Sequence, residues 1–374
     1  MRNKQLITTV AIITLFCSAT FAADKFRPLF NGKDLTGWVN VNCAPSTFRV
    51  RDKMIVCSGK PIGVMRTTKH YENFILELEW RHMKPKGNAG LFVWSDPVTA
   101  RGVPFTRSIE VQILDGRNTR TYTSHGDVFS IHGATLKPDR PHPTGAMRCL
   151  PSERRCKPAG QWNHYRVLCK DGVIKLAVNG KVVSGASLCQ PRKGYICLES
   201  EGSEVHFRNI KIQTLPSSNP KGKDVARKAT GYVSLYNGVS FSGWKHSSGH
   251  VAHWKSEDWR LVCDGKGQGK TKDLSSKKSL KNFHLIVDCR FANSGKVQVP
   301  VKLRGGLLKT QVTVRKGAWN RFEIWVRGNL ADVRQNGKVV AKQVQLANSD
   351  ATPVTLTHFG KRIEFANVYV RTRP

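Results

Sequence analysis

The chain has 374 residues, 39% hydrophobic and 23% charged, which suits two globular units and excludes a disordered polymer. Lysine and arginine number 61 against 26 aspartate and glutamate, a formal charge of +35 that admits acidic glycans, anionic surfaces or nucleic acid as partners. The cations are spread along the whole chain without a helix-turn-helix, zinc-finger or RNA-recognition pattern, so nucleic acid is disfavoured.

Met1-Arg2-Asn3-Lys4 is a basic start, residues 6–16 are apolar, and Thr20-Phe21-Ala22 offers a small-residue cleavage site before Ala23-Asp24. This is the pattern of a secretory signal over residues 1–22. It is too short for a membrane span, and no later apolar run reaches the roughly 18 residues a membrane helix needs. A lipoprotein cysteine at Cys17 is disfavoured by the bulky Phe16 before it. The mature protein is therefore expected to be exported and soluble, periplasmic or extracellular.

From there the chain reads as all-β. Residues 74–80, 165–169, 173–178 and 205–212 alternate apolar and polar, the period of a strand with one face in a core. Lys170-Asp171-Gly172 and Val178-Asn179-Gly180-Lys181 supply the residues that tight hairpin turns need. No amphipathic helix of ordinary length follows the signal. Short strands at this spacing predict antiparallel sheets packed as sandwiches.

One stretch stands out. Gly87-Asn88-Ala89-Gly90-Leu91-Phe92-Val93-Trp94 is followed by Ser108-Ile109-Glu110-Val111-Gln112-Ile113-Leu114-Asp115-Gly116. In the second segment Val111 and Ile113 point into a core, while Glu110 and Gln112 lie side by side on the opposite face. Asp115 stands where the strand runs out into an Asp-Gly turn. A carboxylate and an amide on one strand face suit sugar hydroxyls or a metal; an ordinary solvated face has the same pattern.

The chain then repeats itself. Leu29-Phe30-Asn31-Gly32 and Gly37-Trp38 return as Leu235-Tyr236-Asn237-Gly238 and Gly243-Trp244. Asn73-Phe74, Trp162-Asn163, Asn179-Gly180-Lys181-Val182-Val183 and Phe207-Arg208-Asn209-Ile210 return as Asn282-Phe283, Trp319-Asn320, Asn336-Gly337-Lys338-Val339-Val340 and Phe365-Ala366-Asn367-Val368. Matching blocks in the same order indicate duplication. The polar, aperiodic segment 216–230 reads as a linker between units 24–215 and 231–374. The first unit carries about 50 extra residues between its Phe74 and Trp162, a loop length expected to be functional. That interval holds Glu110, Gln112, Asp115, His125, Asp127, His132 and His142. Cys149 and Cys156, in a Pro- and Arg-rich loop, are the favoured disulfide pair, whereas Cys169, Cys197 and Cys289 sit in apolar patterns and are expected to be buried thiols.

Together the Leu-Phe-Asn-Gly-Lys-Asp-Leu-x-Gly-Trp opening, Gly87-Asn88-Ala89-Gly90, Glu110-x-Gln112-Ile113-Leu114-Asp115, Trp162-Asn163, Asn179-Gly180 and Phe207-Arg208-Asn209-Ile210 resemble the 3-keto-disaccharide hydrolase family. The match runs from about Phe26 to Leu215 and more weakly through the second unit. It implies a concanavalin A-like jelly-roll sandwich and action on glycosides oxidised at C3. A C3 ketone acidifies the C2 proton, so a general base can start an elimination of the glycosidic oxygen, with water adding back; direct hydrolysis by two carboxylates is the other route.

The resemblance puts catalysis on Glu110, with Asp115 or His132 second, and sugar hydroxyls on Asn88 and Gln112. Glu110, Asp115 and His132 are also the candidate ligands for a divalent metal. Trp94 stands where the family has Arg and is expected to stack a sugar ring. Leu198-Glu199-Ser200-Glu201-Gly202 replaces Leu-Gln-x-His-Gly, with Glu199 as a substitute substrate-binding carboxylate. Glu77 and Glu79 are read as structural. Asn293-Ser294-Gly295 is expected to match Asn88-Ala89-Gly90, but the strand after it has no Glu-x-Gln-x-x-Asp, so no catalysis is expected in the second unit. Carbohydrate is the expected partner, with acidic polysaccharide as a further candidate. The alternatives are a lectin-like protein without turnover and a cationic protein that binds acidic glycans.

Overall fold

The computed structural model describes residues 25–115, 125–228 and 231–372; the signal-type start and the Asp-Gly turn after Asp115 lie outside them. Residues 27–214 build two antiparallel sheets. The nine-stranded one runs Thr135–Pro138, Lys181–Gln190, Val173–Val178, Asn163–Lys170, Phe74–His82, Val205–Thr214, Met54–Cys57 and Phe48–Arg51, with Arg27–Pro28 on the side of Val205–Thr214. The seven-stranded one runs Arg148–Cys149, Val128–Ile131, Ser108–Gln112, Gly90–Ser95, Tyr195–Ser200, Gly63–Thr67 and Trp38–Asn40. Period two decides which side chains lie between them. Phe74, Leu76, Leu78 and Trp80 are buried in the core, while Glu77 and Glu79 on the other face pair with Arg166, Lys211 and Arg208. Both glutamates are structural, as their strand face predicts. The Asn179-Gly180 turn has positive φ at both residues, 47° and 90°, the requirement of a type I′ hairpin.

Residues 233–372 make a second sandwich. Its eight-stranded sheet runs Lys338–Gln345, Leu330–Gln335, Trp319–Arg327, Phe283–Phe291, Ile363–Thr372, Arg260–Cys263 and Trp254–Glu257, with Val233–Ser234 on Ile363–Thr372. This repeats the strand order of the nine-stranded sheet. The facing sheet of five strands is shorter: Trp244–Lys245, Leu274–Leu280, Thr352–Leu356, Val301–Leu303 and Gly306–Leu307. The expected match of Gly295 to Gly90 is not kept. Gly295–Gln298 pairs with Gln311–Val314 in a two-stranded sheet of its own, and Val301–Leu303 takes the place beside Thr352–Leu356 that Gly90–Ser95 takes beside Tyr195–Ser200.

The two sandwiches are joined by a packed seam. Val64, Phe92 and Cys197, on the outer face of the seven-stranded sheet, are buried against Ile286 and Tyr369 of the second sandwich. Beside them the loop after Ser95 is gripped through its backbone. Gly102 N donates to Asp288 Oδ2 (2.8 Å), Arg321 Nη2 donates to Thr99 O (2.9 Å), and Asn367 Nδ2 donates to the carbonyls of Ala100 and Val103 (3.0 Å each). Asp288 is fully buried and also accepts from Arg321 and Asn367, which satisfies a charge that would otherwise be costly. The segment read as a linker lies on the first sandwich: Ser217 and Ser218 bind Glu72, and Asp224 pairs with Arg192.

The expected Cys149–Cys156 disulfide is absent. Cys149 ends an edge strand, and its thiol donates to Leu150 O, while Cys156 packs against the first core near Tyr165. Cys169, Cys197 and Cys289 are buried thiols, as their patterns predict. Among the described residues no helix is long and apolar enough to cross a membrane.

Candidate functional site

The seven-stranded sheet sends Leu91, Val93, Ile109, Val111, Ile196 and Leu198 into the core. Alternation therefore puts Gly90, Phe92, Glu110, Gln112, Cys197 and Glu199 on its outer face. Register aligns them: Gly90 sits opposite Gln112, Phe92 opposite both Glu110 and Cys197, and Glu110 opposite Phe129. Phe92 and Cys197 go under the seam. The end of the face left beyond it carries Glu110, Glu199 and, two residues further along the same face, Glu201.

Gly90 is the floor of this end. A Cβ there would lie 2.7 Å from Glu199 Oε2 and 2.9 Å from Glu110 Oε1, so the two carboxyl groups meet over a residue that has no side chain. Glu110 and Glu199 are both buried, and Glu199 Oε2 has no hydrogen-bond partner among the described residues. Glu201 is partly exposed and receives a hydrogen bond from Asn88 Nδ2. The Asn88 backbone N–H is held in turn by Ser203 Oγ at 3.0 Å.

Three carboxyls this close cannot all ionise in a site shielded from water. Burial, and then the nearby Glu201, push Glu110 well above the usual carboxylate range; the Arg148 guanidinium pulls the other way. Burial, Glu110 and Glu201 do the same to Glu199. Glu201 is lifted to about 7 by burial, while a hydrogen bond with Glu199 favours its ionised form. Burial and mutual repulsion thus favour the protonated, donating form of Glu110 and Glu199 and leave Glu201 as the carboxyl that ionises most readily. Arg148 is fixed beside them by Asp127 Oδ2 (2.8 Å) and by the Phe129 ring beneath it (3.5 Å).

Of the residues singled out in the sequence, Glu110, Glu199 and Asn88 come together here. Gln112 is on the same face, but its Oε1 accepts from the Ile113 N–H at 2.9 Å. Asp115 lies beyond the strand end, where its Oδ2 accepts from Lys86 N at 3.1 Å. His132 does not join them. It follows the far end of Val128–Ile131, is exposed, and stacks on Phe105. Glu110, Asp115 and His132 therefore do not converge on one ion, and among the described residues no three His, Cys, Asp or Glu side chains are arranged to hold a metal.

Trp94 is a correction. Counting by twos puts it on the site face, but the pairing with Tyr195–Ser200 carries a bulge there and Trp94 takes a left-handed φ of 55°. The ring is turned into the core, fully buried, with its indole N–H on Glu72 O (2.8 Å). It stacks no sugar. Glu201 was legible by the same alternation that selects Glu199. Arg148 carries no sequence signal, being one of many arginines in a loop.

These features define an all-β protein of the jelly-roll class with a buried carboxyl cluster on one sheet face. A family profile described as a 3-keto-alpha-glucoside-1,2-lyase-like domain matches residues 25–213, and the chain belongs to that family. A Bacteroides thetaiotaomicron protein named 3-keto-disaccharide hydrolase is 24% identical over 243 residues, 52% of this chain and 79% of that one. Among solved structures, a Parabacteroides distasonis protein described as a candidate glycosyl hydrolase is 24% identical and covers 51% of this chain and 94% of its own, with a TM-score of 0.39. The carbohydrate-binding module CBM66 of Bacillus subtilis is 12% identical over 48% of this chain and 96% of that one, with a TM-score of 0.35.

Proposed function

We propose that the protein is an exported enzyme that breaks the glycosidic bond of glycosides carrying a ketone at C3. The observation that carries this reading is the meeting of Glu110 and Glu199 over Gly90, with Glu201 beside them, in a chain of this family. Glu201 is the base. It takes the C2 proton made acidic by the ketone. Neutral Glu110 and Glu199 donate hydrogen bonds to the oxygen at C3 as it gains charge, with Arg148 adding a nearby positive charge. The C1–O bond then breaks, Glu201 passes the C2 proton to the departing oxygen, which leaves as the free alcohol, and water adds back with its hydroxyl on C1 and its proton on C2. Asn88 orients Glu201 through its amide.

The second sandwich is, on this reading, a duplicate that lacks the site. Its eight-stranded sheet keeps the strand order of the first, but Thr352–Leu356, in the place of Tyr195–Ser200, contains no carboxylate.

The test is incubation of the purified protein with 3-keto-trehalose or a 3-keto-glucoside, with release of free sugar as the readout. Release that disappears in Glu201→Gln, and that falls in Glu110→Ala, which removes a donor, supports the assignment. A folded protein that releases nothing from any keto-glycoside, yet binds one saturably, would replace it with a lectin-like role.

A further inference from the structure

A polar cavity lies at the seam, lined by none of the three glutamates of the carboxyl cluster. It measures about 270 Å³ and is lined by Arg101 and Arg107 of the first sandwich, Arg227 of the joining segment, Arg321 of the second sandwich, His132 and Asp96. Phe105 of the seam cluster stacks on its His132. Two of the four guanidinium groups are already neutralised. Arg107 makes a forked contact to Asp96, with both bonds 3.1 Å, and Arg321 is paired with Asp288 at 2.7 Å. Arg101 and Arg227 are exposed and form no ion pair among the described residues. The Arg227 backbone N–H is fixed by Asp96 Oδ1 at 3.2 Å, which sets that residue at the cavity mouth.

We infer that this cavity is a binding site for an oxyanion-bearing sugar, one carrying a sulfate ester or a carboxylate. Arg101 and Arg227, the two guanidinium groups at this small cavity without a carboxylate partner among the described residues, have planar forks that match sulfate and carboxylate oxygens in pairs. The lining residues come from both sandwiches and from the segment between them, so the site exists only in the joined molecule. It turns the excess positive charge of the chain into a located contact with an acidic glycan. It does not depend on the reaction proposed above, because it is read by binding and not by turnover.

The experiment is calorimetric titration of the full chain with glucose 6-sulfate, glucuronate, inorganic sulfate and glucose. It is run near physiological ionic strength, where the Debye length is about 8 Å and the overall field is screened. The two anionic sugars are expected to bind, and the tighter of them names the ligand chemistry. The double variant Arg101→Gln/Arg227→Gln should weaken them by roughly tenfold or more, since charge-assisted contacts are lost. A charge-matched control, Arg315→Gln/Arg327→Gln, changes exposed arginines elsewhere and should bind like the parent. Equal losses in the two double variants would reduce the effect to net charge and overturn the site. So would glucose binding as tightly as the anions, or inorganic sulfate binding as tightly as the sugars, which would leave a simple ion site.

Discussion

Replacing Gly90 by alanine tests the carboxyl cluster through its floor. The residue does not have a positive φ, so alanine is allowed by the backbone and the effect is one of space alone. The added methyl would stand 2.7 Å from Glu199 Oε2, 2.9 Å from Glu110 Oε1 and 2.9 Å from Phe92 Cε1, whereas ordinary contact begins at 3.4 Å. Both carboxyls must move, and Phe92 is pinned under the seam. Overpacking of this kind costs about 1–3 kcal/mol, and a misplacement of about 1 Å at reacting groups costs roughly 10²-fold in rate. We expect kcat/KM on a 3-keto-glucoside to fall about 10²-fold, with a lower melting temperature by roughly 2–4 °C for each kcal/mol lost. Gly306→Ala is the control, since its nearest neighbour is 4.0 Å away. Adding Glu199→Asp to Gly90→Ala withdraws one carboxyl by a methylene and should restore part of the stability. A Gly90→Ala protein with parental rate and melting temperature would refute the packing argument.

The acid limb of activity should follow Glu201, rising with pH up to about 7 and level above it, and Glu201→Gln should remove the limb and lower the rate roughly 10²- to 10⁴-fold. The sign for stability is opposite. The folded pKa lies above the ordinary 4.5, so the folded state holds the proton more tightly, and the contribution is full below about 4.5 and lost as pH rises through about 7. Chemical denaturation across that window checks it, with Glu201→Gln giving a flatter profile. Trp94→Ala should lower stability by about 3–5 kcal/mol, because a fully buried ring is deleted. A raised KM with unchanged melting would return Trp94 to the sugar. Asp288→Ala should cost about 3–5 kcal/mol by leaving Arg321 buried beside no carboxylate. Calorimetry should then show the sandwiches melting apart, where the parent melts as one.

Much of this was legible because strands obey a period of two. Phe74, Leu76, Leu78 and Trp80 announced a core face, and Glu110 with Gln112 announced its opposite. Where alternation breaks, reading by twos failed: a single left-handed residue at Trp94 reverses its side chain, and nothing in a Val-Trp-Ser string signals a bulge. The family resemblance singles out His132 as a second catalytic residue, but antiparallel pairing carries it to the opposite end of the neighbouring strand. The strand pattern alone leaves open whether Glu110 is solvated. Its burial comes from elements distant in the chain, Glu199 and Glu201 among them, and so does its raised pKa. The seam was invisible for a similar reason, since Val64, Phe92 and Cys197 read as core residues whether a sandwich covers them from inside or from outside.

That seam has a consequence for how such a chain can change over generations. Deleting the second sandwich would uncover Val64, Phe92 and Cys197 on one flat sheet face and leave the carbonyls of Thr99, Ala100 and Val103 without their donors. An exposed apolar sheet face of this sort invites aggregation. The second sandwich thus acts as an evolutionary ratchet: even without a catalytic site it is hard to discard, because it covers an apolar face of the half that belongs to the family.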